Sequence, residues 1–424
     1  MVEALPFQAL MYDLEAIPDL SPMICPPYDV ISDQMRRHLY QQNPFNIVRL
    51  EYSQETGSDE GRYDQAAKDL QNWIGQGVLK PTERASFYLL TQSYLDAYGS
   101  QRRRKVLIAR VRLERFSEGS VLPHEFTIPK AKKDRLKLLT KCETNFSPIM
   151  AVYRDLSGSI TTVLNSDRVS RNIMTSGTIS DEGEFTLAEI SDTDDVDTIK
   201  EAFKDTPVLI ADGHHRYETA LEYSQASEKA GAQYVMMGLI ALDDSGLDIH
   251  GYHRVVSGVA EDTMEALMSH IEEKFDKYRS VSLPQDVRVR AQEVERLLVS
   301  PDQVNWDVIL VNATGNASLL KVREDRVTQG SETILPIRLL EECLSKVIQD
   351  DESTSSPLVD YDHNVTSAVT RVSEGNSTVG FIMGSLAVDL FEKVVISEGR
   401  LPRKSTYFYP KLPAGVVMYP LWSE

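Results

Sequence analysis

The sequence predicts an α/β protein in which mixed sheets carry flanking helices. Residues 207–221 read as a buried strand, a turn and a helix, and residues 257–400 alternate helical with strand-like segments. The chain has 424 residues, which is long for a single hydrophobic core. We therefore expect more than one domain.

The composition narrows the class of protein. Apolar residues make up 42% and charged residues 26%, as in ordinary soluble globular proteins. The 45 Lys and Arg against 64 Asp and Glu give a net charge of −19, which argues against nucleic acid or an anionic membrane as a partner. No apolar run approaches the roughly 20 residues that span a bilayer, and the N-terminal residues lack a signal-peptide pattern. A cytoplasmic location is therefore expected.

The cysteines are sparse. Cys25, Cys142 and Cys343 are widely separated in the chain. Such spacing fits neither a disulfide framework nor a thiolate zinc site.

The strongest functional signal lies in residues 207–221. The apolar run 208–211 is typical of a buried strand. Asp212 and Gly213 favour a turn, because Asp bonds to nearby backbone and Gly accepts a positive φ. Small and apolar residues then recur at helical spacing, so the turn leads into a helix.

A helix that begins after this turn places three polar side chains at its N-terminus. They are His214, His215 and Arg216. Free backbone N–H groups and the helix dipole favour an anion at such a point. Two imidazoles and a guanidinium add donors there, and Arg can bind phosphate in bidentate fashion. The alternative is a helix cap with two surface histidines.

The second informative stretch is 122–142. His124 and Glu125 follow a proline that interrupts the chain, and a helix is predicted from about Pro129. The basic side chains of this helix are typical of a solvated face, although one or two of them could line an anion site. They are Lys130, Lys132, Lys133, Arg135, Lys137 and Lys141.

Two segments near the N-terminus offer candidate pocket residues. Consecutive prolines place Tyr28 and Asp29 in a stiff turn. Residues 47–52 read as a strand with Arg49 and Glu51 on one side. That pair either forms an ion pair at the strand edge or lines a pocket.

Two later segments add candidates. His253 and Arg254 fall in a strand-like segment, where they either line the same pocket or cover a sheet edge. Lys404, Ser405 and Thr406 are three adjacent donors, an arrangement that suits phosphate oxygens.

These stretches, in this order, resemble a bacterial and archaeal family, domain of unknown function 1015, whose members are associated with serine biosynthesis. The resemblance extends over most of the chain. It is carried by residues 25–32, 43–50, 209–221 and 404–413.

The core motifs also resemble those of free-serine kinases built on the ParB/sulfiredoxin-like fold. Those kinases have Pro-His-Glu, Asp-Gly-His-His-Arg and Pro-Lys-Thr-Thr, and the counterparts here are residues 123–125, 212–216 and 403–406. Arg403 stands where the kinases have Pro, and Ser405 where they have Thr. About 90 residues separate the first two motifs, a longer spacing than in the kinases.

The resemblance implies a small-molecule kinase that converts free L-serine to O-phosphoserine, with ATP, ADP or pyrophosphate as the donor. Phosphoryl transfer depends on positioning and charge stabilisation, which the residues supply. Glu125 would be the general base, with His124 beside it, and Asp212 would orient the histidines or hold the amino group of serine. The donor phosphates would be held by Gly213, His214, His215, Arg216, Lys404, Ser405 and Thr406. Mg²⁺ is expected because it neutralises phosphate charge, although no carboxylate cluster identifies its ligands.

The same reading predicts three segments of the chain. A catalytic ParB/sulfiredoxin-like region covers 1–256, a second α/β region covers 257–400, and the segment 401–424 returns to the active site.

Two other functions stay open. A metal-dependent hydrolase would use Asp212, His214 and His215 as ligands, although adjacent histidines on a helix point roughly 100° apart. A regulatory protein of ParB-like fold would bind nucleotide or serine without turnover.

Overall fold

The structure, a computed structural model, describes residues 1–54, 60–96, 99–127, 129–179, 183–300, 303, 305–323, 325, 333–348, 358–375 and 378–422. The chain divides into two compact units. The first contains Met1–Asp248 and Pro410–Glu424, and the second contains Ile249–Tyr409. Within the described ranges, no helix combines the length and apolar character needed to cross a membrane.

Helices and strands alternate along both units. The helices are α1 (Asp33–Gln42), α2 (Val48–Glu51), α3 (Gly61–Gly75), α4 (Pro129–Cys142), α5 (Ser159–Leu164), α6 (Asp167–Arg171), α7 (Thr193–Phe203), α8 (His214–Ala226), α9 (Glu261–Lys274), α10 (Val287–Leu298), α11 (Pro336–Val347), α12 (Val365–Glu374) and α13 (Val388–Glu398). The strands are β1 (Ala4–Leu5), β2 (Leu10–Tyr12), β3 (Leu79–Pro81), β4 (Phe87–Leu95), β5 (Gln101–Arg112), β6 (Val121–Pro123), β7 (Thr144–Asn145), β8 (Ile149–Tyr153), β9 (Ile173–Thr178), β10 (Glu184–Ile190), β11 (Val208–Asp212), β12 (Tyr234–Ala241), β13 (Asp248–His250), β14 (His253–Val256), β15 (Phe275–Ser282), β16 (Val308–Asn312), β17 (Asn316–Val322), β18 (Val359–Asp362), β19 (Val379–Met383), β20 (Tyr407–Tyr409) and β21 (Tyr419–Pro420). The prediction of an α/β protein with mixed sheets is confirmed.

The first unit is built on a mixed sheet. Its strand order is β6-β11-β8-β12-β5-β4-β10-β9, with β1 added beside β5. Most neighbours are antiparallel, but β6 runs parallel to β11, with Pro123 opposite Ile210. Because parallel strands end at the same edge of a sheet, the chain segments that follow β6 and β11 leave the sheet side by side.

The second unit has a six-stranded sheet in the order β15-β17-β16-β19-β14-β18, in which all neighbouring strands are antiparallel. Its apolar core includes Trp306, Ile309 and Val369, all at most 1% exposed. The predicted alternation of helices and strands over 257–400 is confirmed, since α9 to α13 alternate with β15 to β19 in this part of the chain.

The predicted strand, turn and helix over 207–221 are confirmed as β11, a glycine turn and α8. Gly213 caps α8 with a φ of +95°, a backbone conformation that other residues rarely adopt. A Cβ at this position would lie 2.9 Å from a guanidinium nitrogen of Arg216. The backbone angle therefore favours glycine, and a larger residue would also displace the Arg216 guanidinium.

The strand predicted over 47–52 is wrong, because the segment forms the short helix α2. The Asn46 side chain accepts a hydrogen bond from the N–H of Val48 at 2.9 Å, and its amide donates to the carbonyls of Pro22 and Ile24. These bonds favour a helical turn over the strand that β-branched residues usually form. Arg49 and Glu51 consequently do not share a strand face.

The C-terminal segment Pro410–Glu424 belongs to the first unit. It is joined to that unit by backbone bonds between Cys25 and Ala414 and by the pairing of β21 with β7. Gly415 has a φ of +88°, and a Cβ there would lie 2.8 Å from Cβ of Ile47. The end of the chain is therefore packed into the unit that its beginning forms.

Candidate functional site

The parallel pairing of β6 with β11 brings two predicted motifs together. His124 follows β6, and His214 begins α8 after β11. The backbone N–H of His124 donates to Nε2 of His214 at 3.2 Å, and the two imidazole rings meet edge to face with their centroids 4.6 Å apart. Residues separated by about 90 positions in sequence thus form one site.

The imidazole of His124 is held by the backbone of β11. Its Nδ1 lies 2.6 Å from the carbonyl oxygen of Ile210, and since a carbonyl only accepts, Nδ1 carries the proton. Its Nε2 lies 3.7 Å from Oε1 of Glu125, whose side chain is 21% exposed. A carboxylate therefore stands at the rim of the site, beside a buried imidazole.

His214 is buried at the start of α8. Burial, and then the neighbouring His124, lower the pKa of His214 from 6.5 to about 3. The imidazole is therefore neutral at pH 7, and its Nε2 acts as an acceptor. His215, the next residue of the same turn, is half-buried. Anion binding by His215 at the helix N-terminus stays a prediction.

Asp212 carries two cationic partners. Its Oδ1 accepts from Lys411 at 2.5 Å, and its Oδ2 accepts from Arg216 at 2.9 Å. Burial alone would raise the pKa of the Asp212 carboxyl, but the charges of Lys411 and Arg216 outweigh it and hold that pKa at about 2. Both carboxylate oxygens are therefore engaged with cations of the protein itself.

Arg216 connects Asp212 to a second buried acid. Its Nη1 donates to Ser147 Oγ at 2.9 Å and to the carbonyl of Pro148 at 2.8 Å. The Ser147 hydroxyl in turn donates to Oε1 of Glu51 at 3.0 Å. In this structure Arg216 thus holds protein groups, and phosphate binding by its guanidinium stays a prediction.

Arg135 is the one buried cation among the basic residues of α4 whose side chains are described. Its Nη1 donates to the backbone carbonyl of Glu51 at 2.9 Å, and its Nε donates to Asp134 at 2.8 Å. The guanidinium lies over the ring of Tyr28 at 3.9 Å. Burial raises the pKa of the Tyr28 hydroxyl, and the charge of Asp29 adds to that effect.

The other basic residues of α4 fit the expected solvated face. Lys141 pairs with Asp64 at 2.7 Å, and Lys132 pairs with Glu218 at 2.8 Å. The side chain of Lys130 lies outside the described part of the chain.

A small cavity lies beside Arg216. Its volume is about 50 Å³, room for a few water molecules. One part of its wall is polar and the other is formed by apolar side chains of α4, β8, α8 and β12. The lining residues are Glu51, Arg135, Leu138, Leu139, Thr144, Asn145, Phe146, Ser147, Ile149, Arg216, Thr219, Ala220 and Val235.

A family model described as protein of unknown function, DUF1015, matches residues 4–341. The chain belongs to the DUF1015 family. No curated protein matches this DUF1015 chain at a significant level.

Several solved structures resemble the DUF1015 chain distantly. A conserved hypothetical protein from Pyrococcus furiosus is 11% identical, with 72% of this chain and 93% of the other covered and a TM-score of 0.35. A free serine kinase in complex with AMP is 11% identical, with 72% and 86% covered and a TM-score of 0.34. SbnI with a C-terminal truncation, from Staphylococcus aureus, is 11% identical, with 71% and 82% covered and a TM-score of 0.35. Likeness at this level assigns no activity.

Five of the predicted site residues lie in the second unit of the DUF1015 chain. His253 is buried in β14, where its Nδ1 accepts from the N–H of Met383, and Arg254 bonds to Glu341 at 2.8 Å. Lys404 is exposed and adopts a φ of +56°, which is rare for a residue with a side chain. Ser405 and Thr406 are nearly buried, and the Ser405 hydroxyl donates to the carbonyl of Pro402 at 2.5 Å.

Sequence reasoning did not identify Lys411 and Ser147 as site residues. Lys411 stands between two prolines in an otherwise apolar segment, which was a usable signal, because an isolated lysine in such a segment needs a buried anion. Ser147 carried no local signal. Its role arises from partners that are distant in the chain of this DUF1015 protein.

The described residues do not fit a magnesium ion held by the protein. They contain no group of three His, Cys, Asp or Glu side chains placed to ligate a metal. The oxygens of Asp212 contact Lys411 and Arg216, and Nε2 of His214 accepts a backbone N–H. This engagement also argues against Asp212 and His214 as ligands of a metal-dependent hydrolase in the DUF1015 chain. Magnesium brought in with a phosphate donor stays a prediction.

Proposed function

We propose that this protein is a small-molecule kinase that transfers a phosphoryl group to the hydroxyl of free L-serine. One observation carries the proposal: the contact between His124 and His214 that follows from the parallel pairing of β6 with β11. It puts the carboxylate of Glu125 beside the N-terminus of α8. A general base and an anion-binding helix end are the two elements that phosphoryl transfer needs. The resemblance of these motifs to those of free-serine kinases supports the same conclusion.

In the proposed reaction, the Glu125 carboxylate takes the proton of the serine hydroxyl. The hydroxyl oxygen forms a bond to the terminal phosphorus of the donor while the bond from that phosphorus to its bridging oxygen breaks. The products are O-phosphoserine and the donor shortened by one phosphoryl group. His124 would form the wall beside Glu125, with its ring fixed by the carbonyl of Ile210.

The donor phosphates would lie at the N-terminus of α8. Backbone N–H groups that follow Gly213 and the side chain of His215 would face them, because the buried imidazole of His214 is neutral and accepts a bond. Arg216 would contribute positive potential from behind this turn. That Lys404, Ser405 and Thr406 bind phosphate stays a prediction from the sequence.

Asp212 would act as a positioning residue. Its carboxylate holds Lys411 and Arg216 under the glycine turn, and this fixes the start of α8. Charge–charge contacts of this kind keep a site rigid before the substrate arrives.

The test is phosphoserine formation by the purified full chain with L-serine and Mg²⁺, supplied separately with ATP, ADP or pyrophosphate. Glu125→Gln is expected to reduce kcat by a factor of roughly 100 or more, since general-base catalysis contributes about that much. His215→Ala is expected to raise the apparent KM for the donor. Glu222→Gln, an exposed position on α8, is the matched control and should leave both parameters unchanged.

Turnover with one donor that depends on Glu125 would support the kinase and identify its donor. If no donor gives phosphoserine while a phosphate-containing ligand still binds, the kinase is wrong, and a binding protein without turnover takes its place.

A further inference from the structure

Glu51 is a buried carboxylate that the proposed reaction does not use. Its side chain in α2 is 4% exposed. Its Oε1 accepts from Ser147 and lies 3.9 Å from Nη1 of Arg135, and among the described residues nothing bonds to its Oε2. Burying a carboxylate is costly unless a cation or several donors compensate it. The second oxygen therefore has capacity for a cationic ligand group.

Two guanidinium groups line the same cavity as Glu51. The described contacts of Arg216 use three of its N–H groups, on Ser147, Pro148 and Asp212. Those of Arg135 likewise use three, on Glu51 and Asp134. Since a guanidinium has five N–H donors, each retains two beyond these described contacts. Together they can bind a carboxylate.

The polar wall of the cavity thus presents charges of both signs. A simple anion would face the Glu51 carboxylate, and a simple cation would face the two guanidinium groups. A zwitterion satisfies both, with its ammonium at Glu51 and its carboxylate between Arg135 and Arg216. The volume of about 50 Å³ restricts the ligand to a small one.

We propose that this cavity, between Glu51, Arg135, Ser147 and Arg216, binds the head group of a small free amino acid and that Glu51 selects for the ammonium. The proposal rests on the proposed function and names the residue that would choose the acceptor. Asp212 is less suited to that task, because both of its oxygens already contact cations. Arg216 belongs to the first turn of α8, so the cavity adjoins the proposed phosphate site.

The experiment is titration calorimetry on the full chain with L-serine, L-alanine and D-glycerate. L-alanine keeps the ammonium and the carboxylate, whereas D-glycerate keeps the carboxylate and hydroxyl but has no ammonium. The expected result is binding of both amino acids and a preference for L-serine over D-glycerate. Glu51→Gln should reduce that preference by about tenfold or more, because it removes a buried charge-assisted hydrogen bond.

The matched control is Glu189→Gln. Glu189 also accepts from a serine hydroxyl, that of Ser86 at 2.6 Å, and pairs with Arg84, but it does not line the cavity. The preference for L-serine should survive this change. A second variant, Ala220→Leu, fills the cavity from its apolar wall without removing a charge and should abolish L-serine binding. It keeps the test decisive if Glu51→Gln does not fold.

An unchanged preference in a folded Glu51→Gln variant would overturn the proposal, as would unchanged L-serine affinity in Ala220→Leu. Failure of this proposal and failure of the kinase are distinguishable. Amino-acid binding that depends on Glu51, without phosphoserine formation, supports the proposed cavity and contradicts the kinase. Phosphoserine formation with an unchanged KM for serine in Glu51→Gln supports the kinase and contradicts the proposed cavity.

Discussion

Gly213 is the residue on which the geometry of the α8 turn depends most directly. Gly213→Ala would put a side chain at a φ of +95° and bring its Cβ to 2.9 Å from Arg216. We expect a loss of unfolding free energy greater than the about 1–2 kcal/mol that a left-handed conformation alone costs. The measurement is urea denaturation followed by circular dichroism.

The control for this substitution is Gly158→Ala. Gly158 also caps a helix with a positive φ, of +68°, but a Cβ there would meet nothing within 4 Å. Gly158→Ala therefore tests the cost of a positive φ without a steric contact. Equal losses for the two variants would contradict a steric role for Arg216.

Lys411 provides a second prediction at this scale. Lys411→Met would leave the Asp212 carboxylate with Arg216 as its remaining described cation, and we expect a loss of unfolding free energy below the about 3–5 kcal/mol that a fully uncompensated buried charge costs. The native pKa of Asp212 is about 2, below its ordinary value of 3.8, so its contribution to stability is present above pH 3.8 and is lost as the pH falls towards 2. In the variant the native pKa of Asp212 lies closer to 3.8, so this loss between pH 3.8 and pH 2 should be smaller. Denaturant titrations at several pH values measure it.

The double variant Lys411→Met/Asp212→Asn tests the cause. If the ion pair is responsible, the double variant should lose less unfolding free energy than the sum of the losses of Lys411→Met and Asp212→Asn measured alone. Losses that add would show that Lys411 acts through packing.

At the scale of single residues, the sequence supports prediction where partners are close in the chain. His124, Glu125 and the first residues of α8 could be proposed as site residues because each motif is local. Two partners were not found: Ser147, which is 69 positions from Arg216, and Lys411, which is 199 positions from Asp212. Such contacts depend on topology, which spacing along the chain does not reveal.

Among the elements, β11 and α8 were predictable because apolar periodicity and turn chemistry agree there. In α2, residue propensity and side-chain bonding conflict. The β-branched Ile47 and Val48 favour a strand, whereas the hydrogen bonds of the Asn46 side chain and the burial of Ile47 and Val48 favour a helical turn. Local propensity is a weak guide for so short a segment when tertiary contacts decide.

The buried histidine of β14 gives a prediction on pH for this element. Burial lowers the pKa of His253 to about 3, from 6.5 in an unfolded chain. Its contribution to stability is therefore complete above pH 6.5, and it is lost as the pH falls from 6.5 towards 3 because the unfolded chain takes up the proton first. We expect His253→Asn, which keeps an acceptor for the N–H of Met383, to reduce the pH dependence by about 1.4 kcal/mol per pH unit.

Trp306 can report on this unit alone. It is 1% exposed in the core of the second unit, so in a Trp73→Phe/Trp422→Phe background its fluorescence follows the unfolding of that unit. Denaturant midpoints measured between pH 4 and pH 7 give the dependence of stability on pH. If this dependence is the same in the protein with His253 and in the His253→Asn variant, a neutral buried imidazole is ruled out.

At the scale of the whole molecule, the first unit is assembled from both ends of the chain. The C-terminal segment contributes buried apolar side chains, among them Leu412, Met418 and Tyr419, each at most 3% exposed. Truncation after Tyr409 removes them together with Lys411. We expect the first unit to lose its cooperative fold, while the second, whose core comes from its own residues, keeps it.

Hydrogen exchange measured by mass spectrometry checks this truncation. Strands β8 and β12 should exchange rapidly, and β16 and β19 should stay protected. Protection that is retained in β12 would show that the C-terminal segment is dispensable. Loss of protection in β16 as well would show that the two units fold as one.

The position of Lys411 in the chain has a consequence for synthesis. Asp212 is synthesised early, whereas Lys411 is added only after the whole of Ile249–Tyr409 has been made. At about 5–20 residues per second, this delay lasts many seconds. The unit that is encoded second can therefore fold first. A nascent chain released before Pro410 carries His124 and His214 but lacks the cation that holds Asp212 in place, so a prematurely terminated product is expected to lack the proposed activity.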